Sequence, residues 1–89
     1  MNTVTVRLFI SRESATYNFT RQQVERACEH ARSSVNQVRL KVVEIEKDPE
    51  LVERYNVEAL PLVLVGDKRF VGIPKPDELA AFIGLSQPA

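Results

Sequence analysis

The sequence predicts a mixed α/β fold: a four-stranded sheet with parallel and antiparallel strands and with helices on both faces. Segments rich in β-branched residues alternate with segments of helical periodicity, in the order β-α-β-α-β-β-α. A strand, a helix and a second strand imply a parallel pair joined by a right-handed crossover. The last two strands are separated only by a short turn at Gly66, which predicts an antiparallel hairpin.

Length and composition limit the chain to one small domain. It has 89 residues, of which 44% are hydrophobic, enough for a single modest core. No segment has the composition of a linker, and no block repeats. We therefore expect one domain over residues 1–89, with a core from about 4 to 85 and a loose tail at 86–89.

Charge and rare residues exclude several function classes. Twelve basic residues balance twelve acidic ones, so the basic surface typical of nucleic-acid binding is not expected. No apolar run is long enough to cross a membrane and no signal-peptide-like start is visible, so we expect a cytoplasmic protein. The single cysteine, Cys28, excludes an intrachain disulfide, a dithiol centre and a cysteine-based zinc site. With one histidine, His30, we expect neither metal nor cofactor.

The first half predicts a strand, a polar loop and an amphipathic helix. Residues 4–10 form the strand and residues 11–18 the loop. Asn18 or Thr20 is predicted to cap the helix, which should end near residues 33–34. Its apolar face carries Val24, Ala27, Cys28 and Ala31.

The second half begins with a strand over residues 38–46. Asp48 is placed to cap a short helix, with Pro49 at its first position and an end near Asn56. The apolar face of this helix is predicted to be Leu51, Val52 and Tyr55.

An apolar strand at residues 60–65 has Pro61 near its head, and residues 69–72 return as its hairpin partner. Pro76 opens the last helix, and Gly84 is predicted as its C-terminal cap. The buried positions of that helix should be Leu79, Phe82 and Ile83.

This order, with a proline heading the third strand, resembles the thioredoxin fold over residues 4–85. The resemblance is most specific at residues 43–61, 70–72 and 76–79. It implies a cis peptide bond between Leu60 and Pro61, and a backbone before that proline which binds an extended peptide or glutathione.

The chain departs from that family where a thioredoxin carries Cys-x-x-Cys. Those positions fall on Ser14, Ala15, Thr16 and Tyr17. Dithiol exchange needs a low-pKa thiolate and a second thiol, so this chemistry is excluded. Ser14 is not a credible nucleophile either, because His30, the only histidine, lies far along the same helix.

The resemblance points to a ligand groove between the first loop and the proline-headed strand. Arg12 could pair there with a ligand carboxylate, although a solvated loop arginine explains it too. One of Tyr17 and Phe19 should be core, and the other a surface anchor for a partner. The predicted groove residues are Arg12, Ser14, Ala15, Thr16, Tyr17, Leu60 and Pro61.

The favoured hypothesis is a redox-inactive thioredoxin-like binding or adaptor domain, not an enzyme, whose partner is a protein or peptide. A second hypothesis is a regulatory protein similar to the circadian-clock KaiB family, which residues 8–10, 40–45 and 59–61 resemble. Residues 14–19 depart from that family's Thr-Pro-x-Ser-x-Arg loop, and the hairpin with the last helix favours a thioredoxin-type ending.

A third hypothesis is a one-cysteine, glutathione-linked oxidoreductase. Only Cys28 could serve, and its place on the apolar helix face predicts a core residue instead. The glycine pair of glutaredoxin-like proteins is reduced to Gly72, with Pro74 and Pro76 inserted, which argues against free glutathione as a ligand. An exposed sheet edge is compatible with a homo-oligomer.

Overall fold

The computed structural model describes residues 3–35 and 37–85, so the predicted tail at 86–89 lies outside the described residues. The elements alternate as the sequence predicts. They are β1 (Thr3–Ile10), α1 (Tyr17–Ala31), β2 (Gln37–Glu44), α2 (Pro49–Arg54), β3 (Leu62–Val65), β4 (Lys68–Val71) and α3 (Pro76–Leu85).

The four strands form one mixed sheet in the order β2-β1-β3-β4. β1 and β2 are parallel, with Phe9 beside Val43. β1 and β3 are antiparallel, with Phe9 opposite Leu62, and β3 and β4 form the hairpin. Gly66 in the hairpin turn has a φ of +60°, a conformation that glycine adopts without steric cost. This topology confirms the predicted fold class.

Hydrophobic side chains bury on both faces of the sheet because strand residues alternate between faces. The larger cluster joins alternate residues of β1 and β3 to α1 and α3. A smaller cluster on the opposite face centres on Phe9, which packs with Val43, Leu62 and Leu64 against Leu51 and Tyr55 of the α2 region. The helices therefore cover both faces, but unequally: α2 has six residues, against fifteen in α1 and ten in α3.

Two predicted helix boundaries are wrong. α1 begins at Tyr17, so Asn18 and Thr20 both lie inside it, and neither is its cap. The Thr20 backbone N–H already donates to Thr16 O at 2.8 Å, and the Thr20 side chain is fully buried. The predicted cap at Gly84 lies within α3, which continues to Leu85. α1 gains residues at its start, where the Tyr17 hydroxyl donates to Glu44 of β2, and it ends at Ala31 rather than near residues 33–34.

Other boundaries shift by a few residues. β2 ends at Glu44 rather than at residue 46, because the chain turns at residues 45–47. Asp48 occupies the N-cap position of α2 as predicted, with Pro49 following, but its side chain makes no capping hydrogen bond. In α3, Leu79 and Ile83 are buried, whereas Phe82 is only half-buried. Among the helices that the structure describes, none is long and apolar enough to span a bilayer.

Candidate functional site

The candidate site lies at one end of the sheet. Because β1 and β2 are parallel, their carboxyl ends meet there, with Ile10 beside Glu44. β3 is antiparallel to β1 and starts at this same end, since Phe9 pairs with Leu62. The loop after β1 and the segment before β3 therefore leave the sheet from neighbouring strands, as a groove between them requires.

Glu46 fixes the start of the first loop. Its carboxylate accepts a hydrogen bond from the Ser11 hydroxyl, and Oε1 accepts one from the Arg12 backbone N–H at 3.1 Å. The Ser11 oxygen in turn accepts the Glu13 backbone N–H at 3.2 Å. The hydrogen bond from the Ser11 hydroxyl, and after it the one from the Arg12 backbone N–H, lowers the pKa of Glu46. The turn after β2 thus holds the loop after β1 through one carboxylate.

Glu44 is the second anchor and lies in the middle of a cluster of donors. Its Oε2 accepts the Tyr17 hydroxyl at 2.6 Å and the Arg12 guanidinium at 3.2 Å. Its Oε1 faces the Lys47 ammonium at 3.3 Å as an ion pair, without hydrogen-bond geometry. The side chain is only 13% exposed. The Tyr17 hydrogen bond, followed by the Lys47 and Arg12 cations, lowers the pKa of Glu44.

Arg21 extends this cluster along α1. Its Nη1 donates to the Tyr17 oxygen at 3.3 Å, and its guanidinium carbon lies 5.9 Å from the Tyr17 ring centroid. The same hydroxyl contact raises the pKa of Arg21. Around these side chains is an open depression of about 420 Å³, lined by Arg12, Ser14, Ala15, Tyr17, Asn18, Arg21 and Glu44. Four of the predicted groove residues thus line one surface.

Removing the Tyr17 hydroxyl should raise the pKa of Glu44. In Tyr17→Phe, the carboxylate loses the donor that most favours its charged form, so we expect its titration to move toward that of an ordinary glutamate. Stability that depends on a lowered carboxyl pKa is lost as pH falls through that pKa, so the variant should lose less stability over that range. Carboxyl carbon NMR titration measures the shift.

Tyr55→Phe is the matched control, because the Tyr55 ring packs against Phe9 and makes no contact with Glu44. An unchanged Glu44 titration in Tyr17→Phe would contradict the assignment of this hydroxyl as the main anchor.

Ser14 and Thr16, at positions that the resemblance aligns with the family's Cys-x-x-Cys motif, form a hydrogen bond between their hydroxyls. Ser14 Oγ lies 3.1 Å from Thr16 Oγ1 and accepts the Thr16 backbone N–H at 3.2 Å. Ala15 is exposed between them. His30, near the other end of α1, lies 3.8 Å from Asp77 and offers Ser14 no base. Ser14 therefore has no base in this arrangement that would activate it as a nucleophile.

The Leu60–Pro61 peptide bond is cis, and the Pro61 carbonyl accepts the Gly72 backbone N–H at 2.9 Å. This hydrogen bond extends the β3–β4 contact one residue beyond the Leu62–Val71 pair. The side chains of Leu60, Val71 and Ile73 are 39%, 65% and 41% exposed. These three exposed apolar residues, called the apolar corner below, belong to the two segments that this hydrogen bond joins at Pro61.

Sequence reasoning missed Val71, Ile73 and Glu44 as site residues. The hairpin register, counted outward from the turn at Gly66, would have placed Gly72 opposite Pro61, with Val71 and Ile73 as its chain neighbours. Nothing in the sequence shows that Glu44 joins Arg12 and Tyr17, because those residues are 32 and 27 positions away along the chain.

Arg69 holds the segment that leads into Leu60. Its two terminal nitrogens donate to the Tyr55 and Asn56 carbonyl oxygens, both at 2.9 Å. Asn56 has a φ of +53°, in the left-handed region that asparagine tolerates better than most residues. One guanidinium from β4 therefore ends α2 and fixes where the chain turns toward the proline.

Neither aromatic residue near the loop is fully buried. Tyr17 is half-buried and packs against the larger core cluster, whereas Phe19 is exposed. Cys28 is 1% exposed within that core, where burial raises the pKa of its thiol to about 11. Within residues 3–35 and 37–85, no cluster of three or more His, Cys, Asp or Glu side chains could hold a metal ion.

No protein-family model and no curated protein matches this chain. Solved structures do. A malarial protein aligns with a TM-score of 0.76 and 18% identity, over 96% of this chain and 98% of its own. Thioredoxin-2, a component of the malaria parasite protein secretion machinery, aligns with a TM-score of 0.78 and 18% identity, over 92% of this chain and 82% of its own. Chloroplastic thioredoxin z aligns with a TM-score of 0.78 and 13% identity, over 94% of this chain and 78% of its own. At these identities the likeness establishes a thioredoxin-like fold and nothing finer.

Proposed function

We propose that this thioredoxin-like domain is a binding module that works without thiol chemistry. It would bind an extended segment of a partner protein in a groove between two surfaces. One is the polar loop at residues 11–17, and the other is the apolar corner of Leu60, Val71 and Ile73. The single observation that carries the proposal is this exposed apolar corner, lying beside Pro61 at the sheet end where the first loop also emerges.

The absence of thiol chemistry is supported by the chain's only cysteine. A reactive thiol needs exposure and a lowered pKa. Cys28 is buried rather than exposed, and its pKa is raised to about 11 rather than lowered. Positions 14–17, where the family carries its cysteines, hold Ser, Ala, Thr and Tyr.

The two sides of the groove suit different parts of a ligand. Leu60 and Ile73 offer apolar contact, and burying such side chains stabilises a complex by about 25 cal/mol per Å². Arg12 keeps an exposed guanidinium although it pairs with Glu44, so it can also meet a carboxylate of the partner. Glu44 and Glu46 hold the loop in place, which reduces the entropy lost on binding.

Ala15→Arg tests the groove, because it places a long charged side chain at an exposed position of the polar loop that forms one side of it. Affinity capture from the native lysate should retain a partner on the wild type and lose it on Ala15→Arg. Ala81→Arg makes the same change at an exposed position of α3 and should retain the partner. The retained protein should then bind in purified form, with at least a tenfold weaker affinity for Ala15→Arg.

Equal retention by both arginine variants would place the binding surface elsewhere and contradict the groove. A disulfide-reduction assay with glutathione tests the other half of the proposal. We expect no turnover above the uncatalysed rate, for the wild type and for Cys28→Ser alike. Turnover that the serine variant lacks would instead establish the one-cysteine oxidoreductase.

The KaiB-like alternative rests on sequence resemblance alone. The β3–β4 hairpin and α3 are both present, and these are the elements that favour a thioredoxin-type ending over a KaiB-like one. No contact in the described part of the chain adds support to the clock-regulator hypothesis.

A further inference from the structure

One half of a sheet face is left without a covering helix. α1 and α3 cover the face that carries Val6 and Leu8, and α2 covers the opposite face only around Phe9. Over the first five residues of β1 and β2, none of the described helices packs against that second face, and only the Tyr55 ring, just past the end of α2, lies over it at Arg7. The side chains standing there are Thr3, Thr5, Arg7, Gln37, Arg39 and Lys41.

Three of these six side chains are cations and none is acidic. The parallel register places Arg7 directly beside Lys41, and Thr5 beside Arg39. Arg39 and Lys41 are exposed. Because β2 is an edge strand, no further strand flanks these two side chains on the outer side of the sheet. Arg7, Arg39 and Lys41 together are called the cationic face below.

The ion pairs among the described residues do not reach this face. They use Arg12, Arg21, His30, Arg32 and Lys47. Arg7 instead lies over the Tyr55 ring, with its guanidinium carbon 5.3 Å from the ring centroid. The cationic face therefore has no carboxylate partner within residues 3–35 and 37–85.

This arrangement costs stability in the free protein. Like charges directly opposite on neighbouring strands repel each other. The chain has twelve acidic residues and no net charge, so the excess is local and does not follow from a basic composition. A bound group of opposite charge would relieve the repulsion.

We propose that the cationic face binds an extended acidic segment of a polypeptide. Arg39 and Lys41 are two positions apart on β2, so their attachment points lie about 6.7 Å apart, which is also the spacing of alternate side chains on an extended peptide. Acidic residues at alternate positions of such a segment would meet both cations. Arg7 and the hydroxyls of Thr3 and Thr5 would meet neighbouring polar groups.

A nucleic acid fits this face less well. Sheet surfaces that bind single strands combine cations with exposed aromatic rings on which bases stack. Here Phe9 is fully buried, and Tyr55 is half-buried with Arg7 above its ring. Three cations on a chain without net charge also offer fewer phosphate contacts than a nucleic-acid-binding surface usually makes.

The cationic face is distinct from the proposed groove. The groove lies beyond the carboxyl ends of β1 and β2, whereas Arg7 and Lys41 lie near the middle of these strands and Arg39 lies in the amino-terminal half of β2. Arg39 is four positions before Val43, or about 13 Å along the strand. The domain could therefore hold two segments at once, and changes on one surface should leave the other intact.

The test uses a fluorescein-labelled octapeptide of alternating Glu and Thr and measures its fluorescence anisotropy with the full chain at low salt. We expect saturable binding that weakens as salt rises. Arg39→Glu combined with Lys41→Glu should weaken binding at least tenfold. Arg26→Glu combined with Lys75→Glu changes the net charge equally at exposed positions on the opposite face and should weaken it less than threefold.

Circular dichroism establishes that each variant is folded. If the glutamate pair fails this check, Arg39→Gln with Lys41→Gln replaces it, with an expected weakening of at least threefold. Equal losses in the test and control pairs would overturn the proposal in favour of a net-charge effect. Absence of peptide binding by the wild type would overturn it too. Tighter binding of a labelled oligothymidylate, lost in the same variants, would overturn it in favour of a nucleic-acid surface.

Discussion

Replacing Phe9 with alanine is expected to lower the free energy of unfolding by about 3–5 kcal/mol. The ring is fully buried and is the centre of the smaller core cluster. It lies 5.6 Å from the Tyr55 ring, at an interplanar angle of 58°. Since α2 is only six residues long, packing on Phe9 rather than intrinsic helix stability holds it on the sheet.

Urea denaturation followed by far-ultraviolet circular dichroism measures the loss. Phe19→Ala is the matched control: Phe19 is 52% exposed on α1, so its removal should change the free energy of unfolding by less than about 0.5 kcal/mol. A loss of about 3–5 kcal/mol is a large fraction of the total for a domain of this size, so Phe9→Ala could be largely unfolded. Similar losses in the two variants would contradict the assigned burial.

Cys28 should make the protein less stable at alkaline pH. Burial raises the pKa of this thiol from the usual 9.0 to about 11 in the folded state. Below about pH 9 the thiol is protonated in both states and favours neither. Between the two values the unfolded chain has released its proton and the folded chain still holds it. The free energy of unfolding should therefore fall by about 1.4 kcal/mol per pH unit as pH rises through this range.

Cys28→Ala isolates this contribution, because the tyrosines and lysines titrate alike in both proteins. Denaturation at several pH values between 9 and 11 should give a shallower decline for the variant, whatever its stability at neutral pH. Parallel curves would show that the thiol is not protected from ionisation in the folded state. They would also remove the main argument that Cys28 is chemically inert.

Local sequence patterns predicted the elements well and their ends less well. The β-branched run of β1 and the Asp48–Pro49 signal before α2 depend on neighbours in sequence, which is why they could be interpreted in advance. The start of α1 could not be predicted from such local patterns. Tyr17 is anchored by Glu44 of β2, 27 positions away, and this contact starts the helix before the two residues that looked like caps.

The candidate site divides in the same way. Resemblance at residues 43–61 pointed to Leu60 and Pro61, and the count of one cysteine, with none at positions 14–17, pointed away from dithiol exchange. Val71 and Ile73 join the site only because Gly72, which lies between them, donates its backbone N–H to the Pro61 carbonyl. The carboxylates that hold the first loop come from the end of β2 and the turn after it, which the sequence alone does not place beside that loop.

The sequence by itself determined the α/β class, the order of the seven elements and the absence of a dithiol centre. These follow from periodicity, turn residues and a count of one cysteine, all of which are local or compositional properties. Only the tertiary structure decided that Glu44 contacts Arg12, Tyr17 and Lys47. It also decided that Arg7 and Lys41 lie side by side with no ion-pair partner among the described residues. The physical reason is that strand register and helix placement are set by burial over the whole core, which brings together charges that are distant in sequence.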